Sequence, residues 1–310
     1  MIYTVTLNPA LDKTVEVLSF AVDRVNRITS MRTDPGGKGI NVSKVIQKLG
    51  KKSIATGILG GSTGRTILSA LEDMGLETYF HFVDGETRTN LKVVDSAEHT
   101  NTDINEPGLT VSEEILDSLL KELLSRLQTN DIVVLSGSLP KGADSNTYYT
   151  WVKACQKTGA KVILDADGEL LAAGLKASPY LVKPNNHELS RLFGRTLELK
   201  GDIEKAARKL MEEYKIAKVI VSMGGEGALY VTGEETIYAE GLKVLVGSTV
   251  GAGDSVVAAL AVAEEGEMSL EDTVRLSTAT GAGNVMCSGT QAAEYEVIEK
   301  LIPQVVFYKW

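Results

Sequence analysis

The chain has 310 residues, of which 43% are hydrophobic and 24% charged, enough for a packed core and against disorder or a fibrous repeat. A formal charge of −9, from 41 acidic and 32 basic residues, repels nucleic acid and anionic lipid, so an anionic ligand must be held by local cations or backbone amides. Cys155, Cys287 and the scattered His81, His99 and His187 form no disulfide or metal-ligand pattern. No apolar run approaches the roughly 18 residues of a membrane span, and the first residues read as a strand, not a signal peptide, so a cytoplasmic setting is expected.

Short β-branched runs alternate with amphipathic stretches, the pattern of parallel strands joined by crossover helices. In chain order, a strand is expected at 2–7, then a solvent-facing extended segment at 12–33 and a helix at 39–49. A strand at 53–59 and a helix at 63–74 follow, and a second solvent-facing segment spans 81–103. Helices at 112–127 and 146–157 flank a strand at 131–135. Strands at 161–165, 180–183 and 219–222 come next, with a helix at 202–214 among them. The 227–245 stretch is extended and reads as edge strands, before helices at 252–263 and 270–285. The expected fold is α/β, with the two solvent-facing segments forming a small projecting sheet.

Glycines cluster where strands or loops meet helices, the places where backbone N–H groups become anion sites. Familiar nucleotide signatures fail at these clusters. The 60–66 turn has Arg65 where a P-loop needs Lys, and Leu59 where it needs its first Gly. No GxGxxG follows the first strand, and Ser138 lacks the spacing of a nucleophile elbow.

The sharpest signal is Gly251, Ala252, Gly253 and Asp254. Small residues expose successive amides at the start of a helix, and Asp254 falls in its first turn, as phosphoryl transfer to a hydroxyl requires. Alone, those four residues fit equally a carboxylate that only stabilises a helix end. A second cluster, Gly36, Gly37, Lys38 and Gly39, precedes the helix carrying Asn41 and combines close backbone approach with a cation.

The two clusters together resemble the signature regions of the ribokinase-like PfkB family of carbohydrate kinases. The resemblance spans nearly the whole chain and includes NPALD at 8–12, the 60–64 turn, SGSLP at 136–140, NNHE at 185–188 and SMGGEG at 222–227. It implies one kinase domain over 1–310, a mostly parallel sheet flanked by helices, and a β-sheet lid from about 12–33 and 81–103. ATP and Mg²⁺ are implied as cofactors, and a homodimer through the lid sheets as the assembly.

By the same resemblance, Asp254 is the general base, with Gly251, Ala252 and Gly253 facing the transferred group. Asp12, Gly36, Gly37, Lys38, Asn41 and Ser138 would bind the acceptor. Lys183, Asn185, Ser222, Gly224, Gly225, Gly227, Thr249 and Asn284 would bind the nucleotide, and Asn185 with Glu188 would support Mg²⁺ through water. Many members carry an aspartate three residues before the first Gly of GAGD; Ser248 stands there, so potassium dependence is not implied.

A phosphorylated acceptor needs cations, and Arg27 and Arg88 lie in the two projecting segments, so with Lys38 they are expected to hold a phosphate. Segments 102–108, 138–142 and 248–251 look most like 1-phosphofructokinases. The expected reaction is fructose 1-phosphate plus ATP to fructose 1,6-bisphosphate. Tagatose-6-phosphate kinase, 6-phosphofructokinase, a nucleoside kinase and a non-catalytic sugar-phosphate sensor are the alternatives. No nucleic-acid or membrane partner is expected.

Overall fold

The computed structural model describes residues 1–310. Its first half runs β1 (Ile2–Thr6), β2 (Ala10–Val17), β3 (Ile28–Gly36), α1 (Lys38–Lys48), β4 (Ser53–Gly60), α2 (Gly61–Asp73), β5 (Glu77–Val83), β6 (Arg88–Asp95), β7 (Thr100–Asn105) and α3 (Glu113–Arg126). There follow β8 (Ile132–Ser136), α4 (Thr147–Gln156), β9 (Lys161–Asp165), α5 (Gly168–Leu175), β10 (Leu181–Val182), α6 (Asn186–Phe193), α7 (Lys200–Tyr214) and β11 (Lys218–Ser222). The last part comprises β12 (Gly227–Thr232), β13 (Thr236–Glu240), α8 (Ala252–Glu265), α9 (Leu270–Val285), α10 (Tyr295–Leu301) and β14 (Phe307–Lys309).

One large sheet has the order β14-β13-β12-β11-β10-β9-β8-β1-β4-β5. From β11 to β5 neighbouring strands are parallel, and β12, β13 and β14 extend one edge antiparallel. Every residue of β1, β4 and β8 is buried. The reason is that helices cover both faces: α3, α4 and α7 contribute to one hydrophobic core, α1, α8 and α9 to another. No helix is long and apolar enough to cross a membrane.

Central β1 lies between β4 and β8, so the chain's progress reverses there. In open α/β sheets the crevice at the carboxyl ends beside such a switch is where ligands bind. The ends of β1 and β8 supply Thr6 and Ser136 to one cleft of about 640 Å³, and residues just after β9, Ala166 and Asp167, line it too. A four-stranded sheet, β3-β2-β6-β7, stands over this cleft. Its own small core is Val15, Val17 and Val93.

The 81–103 lid assignment begins too early. His81 to Val83 finish β5, the edge of the large sheet, and the small-sheet strands on that side are β6 and β7. An edge strand covered on one side shows the same half-exposed pattern as a lid strand, and β5 has no fully buried residue. The 12–33 segment likewise reaches outward to Ala10 and Gly36, with a loop between its strands. In the 227–245 stretch only β12 and β13 are strands. Three short helices, α5, α6 and α10, escape a periodicity reading because about two turns define no stripe.

Candidate active site

Gly251 takes a left-handed conformation (φ 78°) that launches α8, and Asp254 follows in its first turn. Helix α1 packs against α8, bringing Asn41 opposite, and Asn41 Nδ2 donates to Asp254 Oδ2 at 2.9 Å. The start of α1 is equally constrained. Gly37 has φ 112°, and a Cβ there would fall 2.6 Å from Thr6 Cγ2. Burial raises the Asp254 pKa above its ordinary value, opposed by nearby Lys38 and by the Asn41 hydrogen bond.

Asp165, at the end of β9, is 1% exposed and anchors two lysines. Lys38 Nζ donates to its Oδ2 at 3.0 Å; Lys183 Nζ lies 3.3 Å from Oδ1, off the line of a hydrogen bond, so Oδ1 has no hydrogen-bond partner. Burial alone would raise the Asp165 pKa, yet the two ammonium groups outweigh it and the pKa is lowered. Lys38 is raised despite its own desolvation, by Asp165 first and Asp254 next. Lys183 Nζ also stands 3.4 Å from where a Cβ on Gly253 would lie, so the absence of a side chain lets this cation approach the GAGD turn.

On the lid side, Asp12 accepts from Asn90 Nδ2 at 2.9 Å, and burial raises its pKa. A Cβ on Gly36 would lie 2.1 Å from Asp12 Oδ2, so only glycine leaves that carboxylate its place. Arg88 opens β6 and donates to the carbonyls of Asn8 (3.0 Å), Pro9 (3.4 Å) and Glu106 (3.1 Å). Ser138 accepts from Asn8 Nδ2 at 3.2 Å. Asp12, Arg88, Asn90, Ser138, Lys38 and Asp254 all line the same cleft.

Away from the lid, Asn185 and Glu188 form a reciprocal capping box at α6: Glu188 N donates to Asn185 Oδ1 and Asn185 N donates to Glu188 Oε2. Burial raises the Glu188 pKa, with the hydrogen bond from Asn185 N and the charges of Lys183 and Lys38 acting against it. Ser222 pairs with Asn185 in an isolated bridge. Gly224 and Gly225 have open space where side chains would stand, while a Cβ on Gly227 would meet the Ala239 carbonyl at 2.0 Å. Thr249 is exposed just before the GAGD turn.

Three expected site residues are placed as follows in the single chain. Arg27 is exposed, precedes β3 at the end of the lid far from Gly36, and does not line the cleft. Lys38 lines the cleft together with Arg88, and its Nζ is held by Asp165 Oδ2 near Asp254. Asn284 is 2% exposed and lies against Gly251, its Nδ2 3.4 Å from a Cβ built there, not on an open adenine face. Sequence patterns alone do not assign roles to Asp165, Asn8 and Asn90. For Asp165 the available signal is a charge that ends the apolar run of β9.

Thr6 Oγ1, Asn41 Oδ1, Asn90 Oδ1, Ser136 Oγ and Thr290 Oγ1 are buried without partners, and all five residues line the cleft. Buried polar groups are ordinarily paired, so such a concentration marks a place built for a polar ligand. Comparison with known proteins agrees with this geometry. The family model described as pfkB family carbohydrate kinase matches residues 5–296. A 1-phosphofructokinase of Bacillus subtilis is 39% identical over 98% of both chains. An ATP-dependent 6-phosphofructokinase isozyme 2 of Escherichia coli is 35% identical over 97% of both. The crystal structure of Escherichia coli phosphofructokinase-2 in complex with substrates and products superimposes with a TM-score of 0.93, at 34% identity over 98% of both chains. With a buried aspartate at the GAGD helix, a lysine-bearing Gly-Gly turn facing it and a match over most of its length, the chain belongs to the pfkB family of carbohydrate kinases.

Proposed function

We propose that this kinase transfers the γ-phosphoryl group of ATP to the 6-hydroxyl of fructose 1-phosphate, giving fructose 1,6-bisphosphate and ADP. The observation that carries the reading is the pairing, in one cleft, of the buried Asp254 carboxylate with the Arg88 guanidinium. Similarity to 1-phosphofructokinases over nearly the whole chain supports the acceptor.

Asp254 accepts the proton of the attacking hydroxyl as its oxygen bonds to phosphorus and the bond to the ADP oxygen breaks. Asn41 keeps the carboxylate aimed, and backbone amides at the Gly251 to Gly253 helix start would offset charge on the transferring group. Lys38 and Lys183, both braced by Asp165, offset its charge. Asp12, Gly36, Gly37 and Ser138 hold the sugar, and Arg88 its phosphate. Ser222, Gly224, Gly225, Gly227 and Thr249 border the nucleotide, with Asn284 supporting the turn beneath Gly251.

The residues present fit Mg²⁺ bound largely through water and phosphate. No cluster of three or more acidic, histidine or cysteine side chains forms a cage, and the charges of Lys183 and Lys38 favour the ionised form of Glu188. Asn185 and Glu188 would order the ion's water shell, and the ion would supply charge neutralisation on the transferring phosphates.

The small sheet is proposed to act as a lid and to pair with a second copy. Leu18, Val22 and Val25 are 71%, 86% and 84% exposed, Ile28, Met31 and Ile104 are exposed beside them, and β7 is an uncovered edge. Arg27 lies among these side chains.

The acceptor is tested by measuring ADP release with MgATP and fructose 1-phosphate, tagatose 6-phosphate or fructose 6-phosphate, side by side. Fructose 1-phosphate is expected to give the highest kcat/KM. A clear advantage for either other ester replaces the acceptor and leaves the kinase reading in place.

A further inference from the structure

The Gly60 to Gly64 turn, which resembles a P-loop without being one, is filled by an anion from the chain itself. Glu86, in the loop joining β5 of the large sheet to β6 of the lid, points its carboxylate at the first turn of α2. Glu86 Oε2 accepts from Ser62 N at 3.1 Å, and Oε1 accepts from Ser62 Oγ at 2.8 Å and from Thr63 N. Gly61 has φ 63°, and a Cβ there would lie 1.8 Å from Glu86 Oε2. Successive amides at a helix start make a concavity for an anion, and here the missing side chain admits this carboxylate. The hydrogen bonds from Thr63 and Ser62 bring the Glu86 pKa down to about 2, so it stays ionised at any working pH.

Two residues further on is Arg88. Between them Thr87 is buried and doubly tied to the same turn, its N donating to Gly60 O at 3.0 Å and its Oγ1 accepting from Gly60 N at 2.8 Å. The Arg88 guanidinium spends three of its five N–H groups on the carbonyls of Asn8, Pro9 and Glu106. That leaves two donors whose direction depends on where the backbone of residues 86–88 is held.

We propose that Glu86 is a positioning residue for the acceptor: docked in the amide concavity of Gly61 to Thr63, it fixes the main-sheet end of β6 and so aims Arg88 into the cleft. The inference rests on Arg88 being the acceptor-phosphate ligand, as proposed under the function. It gives the Gly-Gly turn a role distinct from nucleotide binding. It also predicts coupling between an exposed carboxylate outside the cleft and the affinity for one substrate only.

The test is a double-mutant cycle on the full chain with Glu86→Ala and Arg88→Ala, with Glu86→Gln as the milder variant. KM is measured for fructose 1-phosphate and for ATP. Glu86→Ala is expected to raise the acceptor KM by about fivefold and leave the ATP KM unchanged, with Glu86→Gln in between. In the Arg88→Ala background, Glu86→Ala should add less than about twofold, because its effect passes through that guanidinium. A Glu86→Ala enzyme with lowered Tm and an unchanged acceptor KM would make Glu86 a helix cap and overturn the proposal, as would fully additive losses. If Arg88→Ala itself leaves the acceptor KM unchanged, the reading of Arg88 fails and the inference falls with it. Unchanged KM in Glu86→Ala alone sinks only the inference.

Discussion

Asp254 answers to two opposed demands. As the proposed base it must be ionised, yet it is buried, and burial raises its pKa. The acid limb of the kcat profile should therefore lie above 3.8, the ordinary value for such a carboxyl, and should vanish with Asp254→Asn. That variant keeps the shape but cannot take the proton, so kcat should fall by roughly 10²-fold to 10⁴-fold. A folded pKa above the unfolded one means that ionisation at neutral pH opposes folding, a cost present above the folded pKa and relieved as pH falls through it. Asp254→Asn should thus melt no lower than the parent at pH 7, a combination of dead chemistry and retained Tm that calorimetry and turnover report together. Asp165 has the opposite sign. Its pKa is lowered, so its stabilisation is present above the unfolded value and lost as pH falls through the folded one. Asp165→Asn leaves Lys38 and Lys183 without their shared counter-charge. Breaking a buried pair in this way typically costs about 3 to 5 kcal/mol, so a clear drop in Tm at pH 7 is expected, and a Tm equal to wild type would refute the role given to Asp165.

At the scale of elements, the site depends on where glycine lets the backbone of the lid meet that of the large sheet. Gly36→Ala would drive a methyl into the Asp12 carboxylate and should raise the acceptor KM at least about tenfold with the ATP KM little changed. The lid strands β2, β3, β6 and β7 are expected to gain hydrogen-exchange protection when sugar phosphate and nucleotide bind together, as closure excludes water. No gain would leave the small sheet as an interface only. The large sheet is legible in the amino-acid sequence because β1, β4 and β8 are covered on both faces and read as nearly unbroken apolar runs. Edge strands are not: β5 has the same pattern as the lid it adjoins. GAGD, the Gly-Gly-Lys turn and NNHE are readable because a local backbone shape demands those residue types. Charge can be counted along a chain while direction cannot, so the partner of Lys38, Asp165, 127 positions away, is not legible in the sequence.

For the whole molecule, the apolar side chains on the outer lid set the expected assembly. Val25→Asp combined with Ile28→Asp should shift sedimentation from dimer toward monomer, since both side chains are exposed in the single chain and a second copy would cover them. A wild-type chain that sediments as a monomer at all concentrations would remove the proposed interface without touching the chemistry. Asp254 and Arg88 sit in one cleft, an arrangement in which a hydroxyl at one end of a ketose phosphate would be phosphorylated while its own phosphate is held at the other. Phosphorus NMR of the reaction of MgATP with fructose 1-phosphate, run beside free fructose, tests this most directly. Stoichiometric ADP and a second phosphoester on the 6-oxygen are expected, with free fructose reacting far more slowly. Free fructose phosphorylated as fast as its monophosphate, or ATP hydrolysed with no new sugar ester, would contradict the proposal.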